Sequence, residues 1–112
     1  MNKIEAIIRP HKLDAMKTAL EELGVVGMTV TEVRGYGRQR GHQEIYRGRE
    51  YTVEFQPKIK VEVVVKKDMT ERVIDTIRSA VNTGQVGDGK MFIYDLNDAV
   101  RIRTGERSNE AL

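Results

Sequence analysis

At 112 residues, with 32% charged and 39% hydrophobic residues and a formal net charge of +2, the chain reads as one soluble globular domain with a single modest core. The absence of cysteine excludes disulfides, thiolate metal sites and cysteine nucleophiles, and so small a net charge does not by itself argue for nucleic acid. No apolar run approaches a membrane span, and Met1–Arg9 lacks the apolar centre of a signal peptide, so a cytoplasmic protein is the expectation.

Lys3–Arg9 reads as a strand, with Ile4, Ala6 and Ile8 alternating, and Pro10 ends it. Leu13, Met16, Leu20 and Leu23 follow at helical spacing, with Gly24 as the stop. Met28–Val33 is a second strand, rich in Thr and Val. From Arg34 to Pro57 the core pattern disappears. That stretch holds four glycines, five arginines and three tyrosines, a composition that favours a functional loop over a plain linker. Ile59, Val61, Val63 and Val65 then alternate with Lys60, Glu62, Val64 and Lys66 in the clearest strand of the chain. Asp68 or Thr70 can cap a helix that carries Val73, Ile74, Ile77 and Val81 to about Asn82. A glycine loop and a fourth strand, Met91–Leu96, complete the pattern. The expectation is one domain over 1–112, with a mobile loop over 37–55 and a polar, frayed tail over 104–112.

Strand–helix–strand twice over, in halves this short, predicts an α+β ferredoxin-like βαββαβ sandwich with a long loop between its second and third strands. Each half needs a right-handed crossover. The sheet face without helices carries some apolar side chains and is expected to meet another subunit.

Thr83-Gly84-Gln85-Val86-Gly87-Asp88-Gly89-Lys90 places three glycines before a lysine. Glycine amides can converge on an anion, and lysine adds a point charge. Gly84, four residues, Gly89 and Lys90 even satisfy the start of a P-loop pattern, but Met91 stands where Ser or Thr would hold magnesium. The order is also reversed: a helix precedes the loop and turns its negative end toward it. Phosphates here would need further cations, and Arg101-Ile102-Arg103, if extended, puts two guanidinium forks on one side. The loop alone fits a phosphate cradle and a plain glycine turn equally.

Arg34-Gly35-Tyr36-Gly37 resembles the start of an RNA-binding signature on this fold, but Arg38-Gln39-Arg40-Gly41 follows where base-stacking rings belong. Tyr46-Arg47-Gly48-Arg49-Glu50-Tyr51 offers tyrosine hydroxyls for modification or contact, and Lys58 stands at the loop's foot, where a cation could reach a small carboxylate. His11 and His42 lie far apart with no acidic pair at ligand spacing, and no nucleophile–base arrangement is present.

Assembled, these residues resemble the PII signal-transduction proteins over nearly the whole chain. Tyr46–Tyr51 is similar to the family's modification motif, and Thr83–Phe92 to its nucleotide-loop motif; Gly27–Gly37 and Arg101–Gly105 add support. The resemblance implies a homotrimer with ATP or ADP in each cleft between subunits. Gly87, Asp88, Gly89 and Lys90 would line the phosphate loop. Arg101, Ile102 and Arg103 would meet phosphates, with Gly37 and Arg38 reaching in from the long loop. Thr29, Glu62 and Val64 would surround the adenine. Gln39 would hold a magnesium ion (Mg2+) that also binds ATP and 2-oxoglutarate. Lys58 would meet a 2-oxoglutarate carboxylate, near Arg40, Gly41 and Gly87. The loop would be the family's T-loop, with Tyr51 its uridylylation or adenylylation site.

Its implied partners are an ammonium channel, a nucleotidyltransferase, a sensor kinase or an enzyme of nitrogen and carbon metabolism. No nucleic acid is expected, and a membrane only indirectly, through a channel. Two departures stand out. Arg49 replaces a usual small residue, which rules out the serine phosphorylation of one branch and adds bulk beside Tyr51. Met91 replaces Ile or Val, a volume-conserving swap. The reading is a non-enzymatic sensor. Its rivals are a small RNA-binding module, which predicts steeply salt-dependent binding, and a phosphoryl-transfer enzyme, for which no general base or metal-binding carboxylate is evident.

Overall fold

The alternating and helical patterns become strands β1 (Asn2–Ile8), β2 (Thr29–Tyr36), β3 (Gln43–Tyr46), β4 (Arg49–Thr52), β5 (Phe55–Val65) and β6 (Gly89–Asp95), with helices α1 (Leu13–Leu23) and α2 (Thr70–Val81), in a computed structural model. The structure describes residues 1–36 and 55–112 in full and, between them, the backbone of β3 and β4. Four strands form one antiparallel sheet in the order β2-β5-β1-β6. The fold is the expected ferredoxin-like sandwich.

Why this order holds is visible in burial. Ile4, Ala6 and Ile8 of β1 and Ile59, Val61, Val63 and Val65 of β5 all face one side and are buried. Met16 and Leu20 of α1 and Val73, Ile77 and Val81 of α2 close over them. The two central strands therefore supply most of the sheet's share of the core, while the edge strands are more exposed. Asn2 and Thr70 are polar residues buried beside this core. Asn2 donates to Asp95 Oδ1 at 2.7 Å and accepts from the Thr70 hydroxyl at 2.6 Å, joining β1, β6 and α2.

The opposite face carries a charge lattice. Lys3 meets Glu62 at 3.3 Å, and Lys60 meets Glu5 at 3.6 Å and Glu62 at 3.7 Å. The Tyr94 hydroxyl donates to Glu5 at 2.9 Å, and the Lys3 ammonium lies 4.8 Å from the centre of the Tyr94 ring. Phe92, on the same face, is 47% exposed.

Four expectations need correction. First, β2 runs to Tyr36 and β5 begins at Phe55, because the two pair beyond the sheet body, Tyr36 opposite Phe55 with ring centroids 5.5 Å apart. Second, the stretch expected as loop contains a two-stranded ribbon, β3 paired with β4. Third, neither Asp68 nor Thr70 caps α2 through its side chain: Met69 is the N-cap, and the Thr70 hydroxyl is taken by Asn2. Fourth, the tail is not frayed. Val100 bridges Arg107, the Arg101 amide donates to Glu106 O at 2.9 Å, and Arg107 pairs with Asp98. Gly24 does end α1 as expected, in a left-handed conformation with φ 96°.

Candidate functional site

The glycine loop joins α2 to β6 on the strength of residues that leave the helix early. Asn82 is already extended, and its side-chain oxygen accepts from the Gly84 amide at 2.8 Å. Gly84, Gly87 and Gly89 all take positive φ, at 81°, 101° and 107°. Gly89 has a further reason to be glycine. It pairs with Ile8, and a Cβ there would collide with the Ile7 carbonyl.

Two cations hold the loop's carbonyls. Arg9 Nη2 donates to Val86 O at 2.9 Å, and Lys58 Nζ donates to Gly87 O at 2.6 Å. Burial pushes the Lys58 ammonium below its ordinary 10.5; nearby Arg9 adds to the shift and Asp88 opposes it. Gly35 makes room for this lysine, since a Cβ there would approach Lys58 Cγ to 3.1 Å. Asp88 is held well below the usual carboxylate range, foremost by the Thr83 hydroxyl, then by the Thr83 and Gly84 amides and Arg9.

Between this loop and the sheet lies a cavity of about 580 Å³, lined by Gly35, Gln56, Lys58, Gly87, Lys90 and Phe92 among others. That is room for a small molecule. Two lysines and a glycine turn suit an anion, so the residues fit a phosphate or carboxylate ligand. Among the described residues no cluster of His, Cys, Asp or Glu could hold a metal ion.

The residues named from sequence fall into two groups. Lys58, Gly87, Asp88, Gly89 and Lys90 come together at the end of the sheet marked by Ile8. Thr29 and Glu62 stand opposite each other across β2 and β5, and Val64 pairs with Lys3 toward the other end. Arg101 follows five residues after Leu96, which stands at that other end. The Leu96 amide bonds to Met1 O, and β6 separates it from Lys90 by about 20 Å at roughly 3.3 Å per residue. Nor is Arg101-Ile102-Arg103 extended. The Gly105 amide closes a turn onto Arg101 O at 2.8 Å, and Arg101 Nη1 pairs with Glu106 at 3.1 Å. The one-sided pair of forks expected from strand geometry is therefore replaced by a turn. Ile102 is 99% exposed in it. Gly37, Arg38, Gln39, Arg40 and Gly41 lie outside the described residues, as do His42 and the side chain of Tyr51.

Sequence reasoning missed Arg9 and the part played by Thr83. Arg9 read only as the end of a strand. Nothing in local spacing shows that Ile8 will pair with Gly89 and bring Arg9 to the loop.

A ferredoxin-like sandwich with a cleft between a glycine loop and the sheet, its lining suited to an anion, defines the class of small α+β domain to which the chain belongs. Comparison with known proteins narrows this. The family model described as "Nitrogen regulatory protein P-II" matches residues 1–106. The chain is 55% identical over 112 residues to the nitrogen regulatory protein P-II of Rhodospirillum rubrum and 56% identical to that of Bradyrhizobium diazoefficiens, covering all of each chain. It is 54% identical to nitrogen regulatory protein P-II 1 of Escherichia coli K12, again end to end. The chain belongs to the P-II family of nitrogen regulatory proteins, which are signal transducers acting on partner proteins. No helix among the described residues is long and apolar enough to cross a membrane.

Proposed function

We propose that this regulator binds ATP or ADP together with 2-oxoglutarate, and reports their levels to partners through the 37–55 loop without itself being an enzyme. The observation that carries the reading is the cleft in which Lys58 and Lys90 face a glycine turn with three positive φ angles. In it Gly87–Lys90 would receive the phosphates. Lys58 would exchange its bond to Gly87 O for a 2-oxoglutarate carboxylate. Mg2+ would be held from the loop by Gln39, and Arg38, Arg40 and Gly41 would complete the pocket.

The separation of the two residue groups supports a homotrimer with shared sites. One chain's Lys58 and glycine loop would face the Thr29, Glu62, Val64, Arg101, Ile102 and Arg103 of a neighbour. The uncovered sheet face, with Phe92 and Tyr94 exposed, would be closed by the same assembly. Ligands could bias the loop among conformations only through their differential affinity for them. Coupling would be typically about 1–3 kcal/mol. Tyr51 would be the site of nucleotidylation, and the setting cytoplasmic.

Calorimetric titration with ATP, ADP and 2-oxoglutarate, with and without Mg2+, tests the reading. ATP and ADP should each bind, and 2-oxoglutarate only when ATP and Mg2+ are present. Lys90→Ala should weaken ATP while leaving the melting temperature unchanged; the same ATP affinity in both proteins would remove the cradle.

A further inference from the structure

Asp88 poses an electrostatic problem for the cleft just proposed. A carboxylate facing a polyphosphate would repel it. In the structure both carboxylate oxygens are instead spent inside the loop. One accepts the Thr83 amide at 2.8 Å and the Gly84 amide at 2.9 Å. The other accepts the Thr83 hydroxyl and Arg9 Nε, the latter at 3.3 Å. The Thr83 hydroxyl in turn accepts the Gln85 amide at 3.3 Å. Arg9 reaches past Asp88 to Val86 O at 2.9 Å. This ring of bonds ties the first residue of the loop to its sixth, and both to the end of β1.

We infer that the side chains of Thr83, Asp88 and Arg9 form an internal brace that sets the glycine loop's shape, and that these side chains position the backbone that receives the ligand's polyphosphate rather than touching it themselves. The inference rests on the nucleotide reading above and adds residues to it. A loop with three glycines at positive φ has many alternative conformations. Holding it in one before the ligand arrives lowers the ordering cost of binding. Arg9 also cancels the Asp88 charge, so Lys58 and Lys90 set the sign of the cleft. Thr83 is the sharpest handle on the brace. It is exposed and stands outside the cavity lining, and its hydroxyl is the link between Gln85 and Asp88.

The test is ATP calorimetry on the full-length protein, alongside melting temperatures, for Thr83→Ser, Thr83→Val, Asp88→Asn and the double variant Thr83→Val with Asp88→Asn. Thr83→Val should bind ATP about tenfold more weakly, the scale of one hydrogen bond to a charged group. Thr83→Ser, which keeps the hydroxyl, should stay within about twofold. The double variant should be no weaker than the weaker single one, because both changes break the same link. Should Thr83→Val fail to fold, Thr83→Ala makes the same deletion. An affinity in Thr83→Val equal to the parent's, an equal loss in Thr83→Ser, or losses that multiply in the double variant would each overturn the brace while leaving the nucleotide site standing. A parent protein that does not bind ATP would overturn both.

Discussion

Single residues decide the glycine loop, and two glycines separate its causes. Gly84 and Gly89 both need positive φ, but a Cβ at Gly84 meets open space while one at Gly89 meets the Ile7 carbonyl. Gly84→Ala should therefore cost about 1 kcal/mol, the left-handed penalty alone. Gly89→Ala should cost roughly 3 kcal/mol or more, because backbone strain and a backbone clash add. Urea denaturation at fixed protein concentration measures both. Asp98 gives a pH prediction at the same scale. Its pKa is lowered from 3.8 in the folded chain, first by the hydrogen bond from Arg107 and then by the amide of Ala99, with the Ser108 amide also contributing. A depressed carboxylate contributes stability that is fully present above its unfolded value and is lost as pH falls through the folded one. Amide-exchange protection of Arg101 and Ser108 should thus hold above about pH 4 and fall progressively below it. Protection that stays level through acid would show that Asp98 does not hold this turn.

At the scale of elements, α2 does two jobs. Its buried stripe of Val73, Ile77 and Val81 covers the sheet, and its early end at Asn82 starts the loop. Ile77 is fully buried at the centre of that stripe. Ile77→Ala should lower unfolding free energy by about 2–5 kcal/mol, read from thermal melts of the two proteins. Strands β2 and β5 behave differently: their pairing beyond the sheet body, with Gly35 packed on Lys58, places the lysine by register and the glycine by size.

At the scale of the molecule, the division of the named ligand residues between the Ile8 end of the sheet and positions away from it makes a specific demand. If each site is built from two chains, a Lys90→Ala protein and an Arg101→Ala protein should each bind ATP weakly. Subunits of the two, mixed, unfolded and refolded together, should recover part of the parent's tight sites, since some clefts pair an intact Lys90 with an intact Arg101. Calorimetry of the mixture gives the recovered fraction, and no recovery would place both residues in one chain's site. The charge lattice of Lys3, Glu5, Lys60 and Glu62 belongs to this scale as well. It pairs both signs across β1 and β5 and leaves the uncovered face neither simply apolar nor of one charge.

Local pattern was enough for the body of the four sheet strands, the two helices, the Gly24 stop and the glycine loop, but not for the β2–β5 extension or the β3–β4 ribbon, because each of the former follows from alternation, helical period or backbone freedom within a few residues. The ferredoxin-like order followed from short crossovers and their handedness. Long-range pairing decided the rest. Only the Ile8–Gly89 register brings Arg9 to Asp88, only the contact of Thr70 with Asn2 removes the expected cap, and only the fold-back of Arg107 onto Asp98 turns Arg101-Ile102-Arg103 out of a strand. These interactions join residues that chain proximity does not put face to face, so no reading of neighbours could supply them.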